Sequence, residues 1–328
     1  MYQHIYCVIF DNMVRLYHIE TGLYLPGKTD MGERLFKTAV MTDTNSGMSV
    51  REGTERGIHV LALPVIIDGA VYYEGVNVTH EDVYRAMDEG LSVSTSQPAV
   101  SELNAAWNRI LNAGYDEIVY IPMSSGLSSS CANAALDAQS FGGRVTVIDN
   151  HRISVTLYTA VLEAKLLADA GKTGREIREQ LESHANMASI YITVDSVEHL
   201  KKSGRITEAG AMLATVMKIK PILLIDGGKL DAYSKVRGMV SARKRMLAAI
   251  IKDRNERFKD VPDKNMMVAL SGTMRNQEIV QTAIDTLHNE FPDNPFIYRP
   301  LSCSIACHTG PDAIGFGLIE VPENLKVD

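Results

Sequence analysis

Short apolar runs alternate along the chain with longer segments in which apolar side chains return every three or four residues. Phe36-Lys-Thr-Ala-Val-Met-Thr42 reads as a strand and Ile58 to Leu63 as a second, followed by Pro64-Val-Ile-Ile-Asp-Gly-Ala-Val-Tyr-Tyr73, a hairpin turning at Asp68-Gly69. Thr79 caps a helix from His80 with acidic residues in its first turn, and Leu103, Ala106, Trp107, Ile110 and Leu111 mark the apolar face of the next helix. Strands are predicted at Glu117 to Ile121 and Arg144 to Asp149, then two helices within 156–185 broken at Gly171-Lys-Thr-Gly174. Beyond them the pattern predicts a strand at Ile190 to Val194, a short helix at Val197 to Lys202, and a turn at 203–206 into a helix from Glu208 to Met217. A hairpin about Gly227-Gly228, a helix from Ser241 to Arg257 and a strand from Met266 to Leu270 follow. The last predicted helix runs from Asn276 to Asn289, ahead of the apolar run Ala313 to Val321.

Strands separated by helices are the mark of a layered, mostly parallel α/β arrangement, in which ligands bind at the carboxyl ends of strands. At 328 residues the chain is long enough for two such domains. We expect an N-terminal extension over 1–33, an α/β domain over 34–165 and a second over 166–328, with a cleft between the two. The turn-like Leu25-Pro-Gly-Lys-Thr-Asp30 makes Met31 a candidate start.

Three strand ends run into hydroxyl-rich turns: Asp43-Thr-Asn-Ser-Gly47, Ser94-Thr-Ser-Gln-Pro98 and Ser124-Ser-Gly-Leu-Ser-Ser-Ser130. The three are expected to face one crevice. Ser128 is a natural N-cap for the helix formers after it, and the first turn of a helix offers free N–H groups and the positive end of the peptide dipole to an anion. Such a cradle suits a carboxylate or a phosphate. The same serines serve equally well as a cap and a solvated turn.

Charge and composition narrow the choice. With 33 basic against 40 acidic residues the net charge is −7, which argues against a general nucleic-acid binder. Four cysteines make no secreted disulfide framework, no apolar run reaches the roughly 20 residues that span a bilayer, and the first residues lack a signal peptide's basic start, so a soluble cytoplasmic protein is expected. Gly171-Lys-Thr173 fails as a phosphate loop, since its first glycine falls at Leu166, and Gly315-Phe-Gly317 lacks the third glycine of a dinucleotide site. No G-x-S-x-G occurs and no triad is tied together by the sequence. Cys303, Cys307 and His308 suggest no fourth metal ligand nearby, so buried structural cysteines and no metal are expected. The 15 methionines supply adaptable filling for a core or a tunnel.

Thr95-Ser-Gln-Pro98, Ser124-Ser-Gly-Leu-Ser128, Leu200-Lys-Lys-Ser-Gly-Arg-Ile206, Lys220-Pro-Ile-Leu223, Lys235-Val-Arg237 and His308-Thr-Gly-Pro311 stand in the order and spacing of the DegV family of bacterial fatty-acid-binding proteins, which the chain resembles from about Phe36 to Gly317. The resemblance implies two α/β domains with a lipid-binding cleft between them, holding one long-chain fatty acid whose carboxylate meets hydroxyls and a histidine. It places that head group at Thr95, Ser96, Ser128, Ser129 and His308, and it assigns Arg205 and Arg237 to the head-group end or to a partner surface. It further implies a non-catalytic carrier without cofactor, presenting its ligand to a fatty acid kinase catalytic subunit and making at most transient membrane contact. The sequence departs from the family pattern at Ser129-Ser130, at Ser203, and at Asp312, which stands where a glycine commonly follows the proline. A competing reading is a phosphate-binding transferase or kinase-like enzyme that uses the serine-rich loop.

Overall fold

The computed structural model describes residues 36–212, 219–225 and 229–327, together with the backbone of two short strands, Cys7–Phe10 and Met13–Leu16. These two pair antiparallel within a unit of their own, residues 1–35. The turn at 25–30, Met31, the hairpin tip Gly227-Gly228 and the far half of the helix expected to reach Met217 lie outside the described residues.

Residues 36–328 form one compact unit. Its first half builds a parallel sheet in the order His59–Leu61, Thr38–Asp43, Glu117–Ile121, Val145–Val147. Thr38–Asp43 is buried at every position, as a central parallel strand covered on both faces must be. The period of two sorts its neighbours. Val40, Val119 and Ile121 join a core that includes the helix Ser154–Asp169, whereas Ala39, Met41, Ile118 and Tyr120 pack on the opposite face against Trp107 of the helix Val100–Asn112. Trp107 is fully buried, edge-on to Tyr120 and Phe141 at ring separations of 6.0 and 5.2 Å.

The second half builds a mixed sheet of six strands in the order Asp231–Arg237, Ile219–Ile225, Ala188–Thr193, Ile314–Glu320, Met266–Gly272, Phe296–Pro300. One face carries the helices Met239–Glu256 and Gln277–Glu290 through a core around Met246, Ile250, Leu270, Leu287 and Phe316. The other face supplies Met267, Ala269 and Ile319 to the same core as Val40 and Val119. Ser154–Asp169 is therefore sandwiched between two sheets. It is apolar nearly all round, with Val155, Leu157, Tyr158, Ala160, Val161 and Ala164 all buried, the pattern of an interior helix rather than a surface one. The boundary expected near residue 165 falls inside this helix. A small antiparallel sheet, Ala70–Tyr73, Pro64–Ile67, Val93–Thr95, completes the unit.

Most expected elements are present, and the hairpin at Asp68-Gly69 turns with positive φ at both residues. Elements additional to those expected include the helix Val50–Arg56, the strands Val93–Thr95 and Phe296–Pro300, and the helix Cys303–Thr309, which displaces Asn276 to Asn289 as the last helix. Cys-Ser-Ile-Ala-Cys-His-Thr has weak intrinsic helix preference, and burial of six of its seven residues holds it in shape. The expected cap is also corrected. The helix begins at Ser130, Ser129 takes the cap position without a side-chain bond, and Ser128 Oγ instead accepts the Ser130 N–H at 3.1 Å.

The two layers are clamped at one edge. Arg299, on the strand Phe296–Pro300, donates to Glu52 Oε1 at 3.0 Å and to the Gly47 carbonyl at 2.9 Å, and its guanidinium lies 4.1 Å from the ring centre of Tyr158. Tyr158 donates its hydroxyl to the same Glu52 oxygen at 2.7 Å. Burial pushes the Glu52 carboxyl up, but the bonds from Arg299 and Tyr158 outweigh it and hold the group below its ordinary range. Arg299→Met leaves a largely buried carboxylate with Arg56, 3.3 Å away, as its remaining cation and is expected to cost about 2 kcal/mol in denaturant unfolding, against about 1 kcal/mol for Tyr158→Phe. The double variant should lose less than the two losses added together. Unfolding of Arg299→Met at the wild-type midpoint would refute the clamp.

Candidate functional site

All three hydroxyl-rich turns line one cavity, whose floor is the inner face of the six-stranded sheet. Pairing register sets that floor. Ile225, Ile190, Gly317 and Ala269 lie side by side across four strands, and Ile192, Gly315 and Ser271 form the adjacent row. The central strand thus presents glycine at both of its floor positions, so the floor is a trough walled by isoleucines. The pair Gly315 and Gly317, which fails as a dinucleotide motif, has this use instead. A Cβ on Gly317 would stand 2.8 Å from the Ser189 carbonyl oxygen, so the neighbouring strand also requires glycine there. The cavity holds about 110 Å3, several times the space that one water needs. Among the described residues, Met123 is the methionine that lines it.

The polar part of the lining converges on His308. Its helix Cys303–Thr309 is capped by Ser302, whose Oγ accepts the Ile305 N–H at 3.3 Å. His308 Nε2 lies 2.9 Å from Thr95 Oγ1, at the end of the small sheet. Burial, and next the nearby Arg205 guanidinium, push the imidazole down to about 4, so it is neutral near pH 7. Its Nδ1 is buried with no hydrogen-bond partner among the described residues. Arg205 follows the helix Glu198–Ser203, half-buried, and lines the same cavity. Asn45 is held there by Ser304, which donates to its Oδ1.

Thr95, Ser96, Ser128, Arg205 and His308 are thus brought together around one cavity, Ser96 from an exposed position. Ser129 is not; it is exposed outside the lining, and Ser130 takes a place in it. Arg237 is exposed on the outermost strand of the large sheet, also outside the lining. Asn45, Ser304 and Thr309 were missed by sequence reasoning. The first lies in a recognised hydroxyl-rich turn, so its signal was present; the other two ride on the unexpected helix. Asp312, whose charge would repel a carboxylate, pairs with Arg275 at 3.0 Å and does not line the cavity.

Among the described residues no Asp or Glu lines the cavity. Hydroxyls, a neutral imidazole with one unpartnered nitrogen and an arginine can orient an anionic group, while the trough accepts an apolar chain. The arrangement binds without needing a nucleophile.

Residues 37–321 match the family described as "Uncharacterised protein, DegV family". A DegV domain-containing protein of Deinococcus radiodurans is 30% identical over 282 residues, spanning 85% of this chain and 97% of the relative. The fold is similar to that of the fatty-acid-binding DegV family protein from Thermus thermophilus, with a TM-score of 0.78 at 27% identity over 87% of this chain and 100% of that one. It is likewise similar to DegV, a fatty acid binding protein from Bacillus subtilis, with a TM-score of 0.75 at 25% identity over 87% of this chain and 99% of that one.

Beneath Asn45 lies a buried acid. Asp43 accepts from the Asn45 N–H at 2.9 Å and from the Met123 N–H at 3.3 Å, joining two of the three turns. Burial, which outweighs those bonds, raises its carboxyl from 3.8 to about 7. The folded chain therefore holds this proton more tightly than the unfolded chain. Its contribution to stability is full below about pH 4 and is lost as pH rises through about 7. Asp43→Asn should remove that slope, at most about 1.4 kcal/mol per pH unit, from the stability profile measured by denaturant unfolding at several pH values. Parallel profiles for wild type and variant would show that Asp43 does not titrate in this range.

Proposed function

The chain belongs to the DegV family, and on that premise we propose that it binds one long-chain fatty acid and presents the carboxylate to a fatty acid kinase. The observation that carries this reading is the cavity itself: a glycine-floored apolar trough that meets Thr95, Ser128, Arg205 and His308 with no acid in its lining among the described residues. The acyl chain would lie along Ile190, Ile192 and Ile225 and gain about 0.8 kcal/mol per buried methylene before the cost of ordering. The carboxylate would accept from hydroxyls and from the imidazole nitrogen that has no partner among the described residues. Two of the proteins with this fold, from Thermus thermophilus and Bacillus subtilis, are fatty-acid binders, which supports the same ligand here. The protein acts as a carrier, and the acyl phosphate forms on the bound ligand through the kinase.

A long-chain fatty acid should copurify with the native protein and appear in lipid mass spectrometry after denaturing extraction. Ser128→Ala and His308→Ala should each weaken binding of added oleate or palmitate by about tenfold or more, because each removes a bond to a buried charge. Recovery of no acyl species, with no binding of either added acid, would end the carrier reading. Lower thermal stability of Ser128→Ala at unchanged affinity would make Ser128 only a local cap.

Arg237 and Arg205 separate the second step from the first. Arg237 lies outside the cavity lining on an acidic protein, where a local cation steers an encounter more than it holds a ligand. Arg237→Ala should slow acyl-phosphate formation by a cognate kinase severalfold, more at low salt than at high, with fatty-acid affinity unchanged. Arg205→Ala should weaken fatty-acid binding itself. Equal kinase rates for wild type and Arg237→Ala at both salt concentrations would remove the docking role.

A further inference from the structure

A second set of donor atoms is gathered outside the cavity, where the small sheet meets two helices. Glu74 follows the strand Ala70–Tyr73, His80 opens the helix His80–Asp88, and Cys303 opens the helix that carries His308. One donor atom of each lies within 4.8 Å of the other two, and His80 Nε2 is 3.8 Å from Glu74 Oε1. Around a tetrahedral zinc with bonds of 2.0–2.3 Å, ligand atoms stand about 3.3–3.8 Å apart. At 3.8 Å for one pair and no more than 4.8 Å for the others, the group is within about 1 Å of that spacing before any ion is added. The Cys307 sulfur is not within 4.8 Å of all three, but Cys307 is one helical turn beyond Cys303, on the same side of the helix, where a change of side-chain rotamer offers a fourth donor.

The surroundings make these groups costly by themselves. Val65, Val78 and Val83 pack around the two cysteines, the Glu74 side chain is only 17% exposed, and its Oε2 is buried without a hydrogen-bond partner among the described residues. A carboxylate oxygen in that position calls for a cation. Two sulfurs, an imidazole and one carboxylate are a donor set for zinc rather than for magnesium or calcium, which take oxygen. From the sequence, Cys303 and Cys307 are expected to be buried structural cysteines, because beside His308 no fourth ligand is suggested nearby. In the fold His308 turns to Thr95 in the cavity, and His80 and Glu74, more than 220 residues away in sequence, supply what the cysteines lack.

We propose that Glu74, His80, Cys303 and Cys307 bind one zinc ion, which fastens the helix carrying His308 to the helix His80–Asp88. Binding displaces the two thiol protons, and that of Glu74 where it is protonated, to solvent as thiolate and carboxylate bonds to the ion form. His80 Nε2, which donates to the Leu301 carbonyl oxygen at 2.6 Å, gives up that bond and takes the metal with its lone pair as the imidazole changes to the tautomer protonated at Nδ1.

The test uses the full chain, freed of metal under reducing conditions and titrated first with cobalt(II) and then with zinc(II). The expected result is a single tight equivalent of cobalt with a thiolate-to-metal charge-transfer band in the near ultraviolet, abolished by zinc, and a higher melting temperature with either ion. Cys303→Ser, His80→Ala and the near-isosteric Glu74→Gln should each weaken binding at least about tenfold. Cys307→Ser should diminish the charge-transfer band, and Cys131→Ser should leave it intact. Circular dichroism of each variant separates loss of the site from loss of fold, and Glu74→Gln keeps the test valid if a cysteine variant does not fold. Absence of the charge-transfer band in the wild type, or unchanged cobalt affinity in folded Glu74→Gln and Cys303→Ser, would overturn the proposal and leave a hydrogen-bonded cluster only.

Discussion

Burial of the helix Ser154–Asp169 on all sides from Ser154 to Ala164 is the constraint on which the rest of the unit depends. A helix covered by a sheet on each face must be apolar around its circumference and must settle every polar group it retains. Ser154 meets Ser271 Oγ at 3.1 Å, Thr156 and Thr159 bond to carbonyls within their own turns, and Glu163 lies 3.3 Å from His184 Nδ1. Tyr158 spends its hydroxyl on Glu52, which in turn takes Arg299 from the second sheet. The spacing of the two layers is therefore fixed by one element. At its start, Ile153, Ser154 and Val155 line the cavity, so the helix that fills the interior also supplies the wall where the filling stops.

How much of this could be read in the sequence depended on how far each feature is determined by its neighbours along the chain. Glu117–Ile121 was legible to the residue because a continuous apolar run is what a central parallel strand needs and a hydroxyl turn ends it. The break at Gly171 to Gly174 was legible for the same local reason. Phe296–Pro300 was not, since the four residues between Pro295 and Pro300 carry no alternation, and only pairing with Met266–Gly272 makes the segment a strand. Cys303–Thr309 is helical through burial, so its composition gave no warning. At the site, Thr95 and His308 are 213 residues apart and touch only in the folded chain. The family motifs named both, but they could not say that Ser130 rather than Ser129 lines the cavity, because that choice turns on where the helix begins.

Arg205 and Arg237 show the same limit for charge. Both are arginines after short structural motifs, and nothing in their immediate neighbours distinguishes them. One is drawn in beside an imidazole that burial keeps neutral, and the other remains on an edge strand. Asp312 is the converse: an acid that looked misplaced is turned toward Arg275, and among the described residues the lining remains free of negative charge.

The floor made by Gly315 and Gly317 has a consequence for how such a cavity diverges between relatives. Main chain, unlike side chain, has no alternative rotamers, so the depth of the trough is set by the strand spacing of the sheet and does not adapt to its contents. Changing that depth by substitution means adding a Cβ, and at Gly317 the neighbouring carbonyl already forbids it. The adjustable boundaries are Ile190, Ile192 and Ile225, where one methyl more or less alters the outline without touching the sheet. A fixed bed with replaceable banks lets the outline of the guest drift over generations while the architecture that holds it stays still.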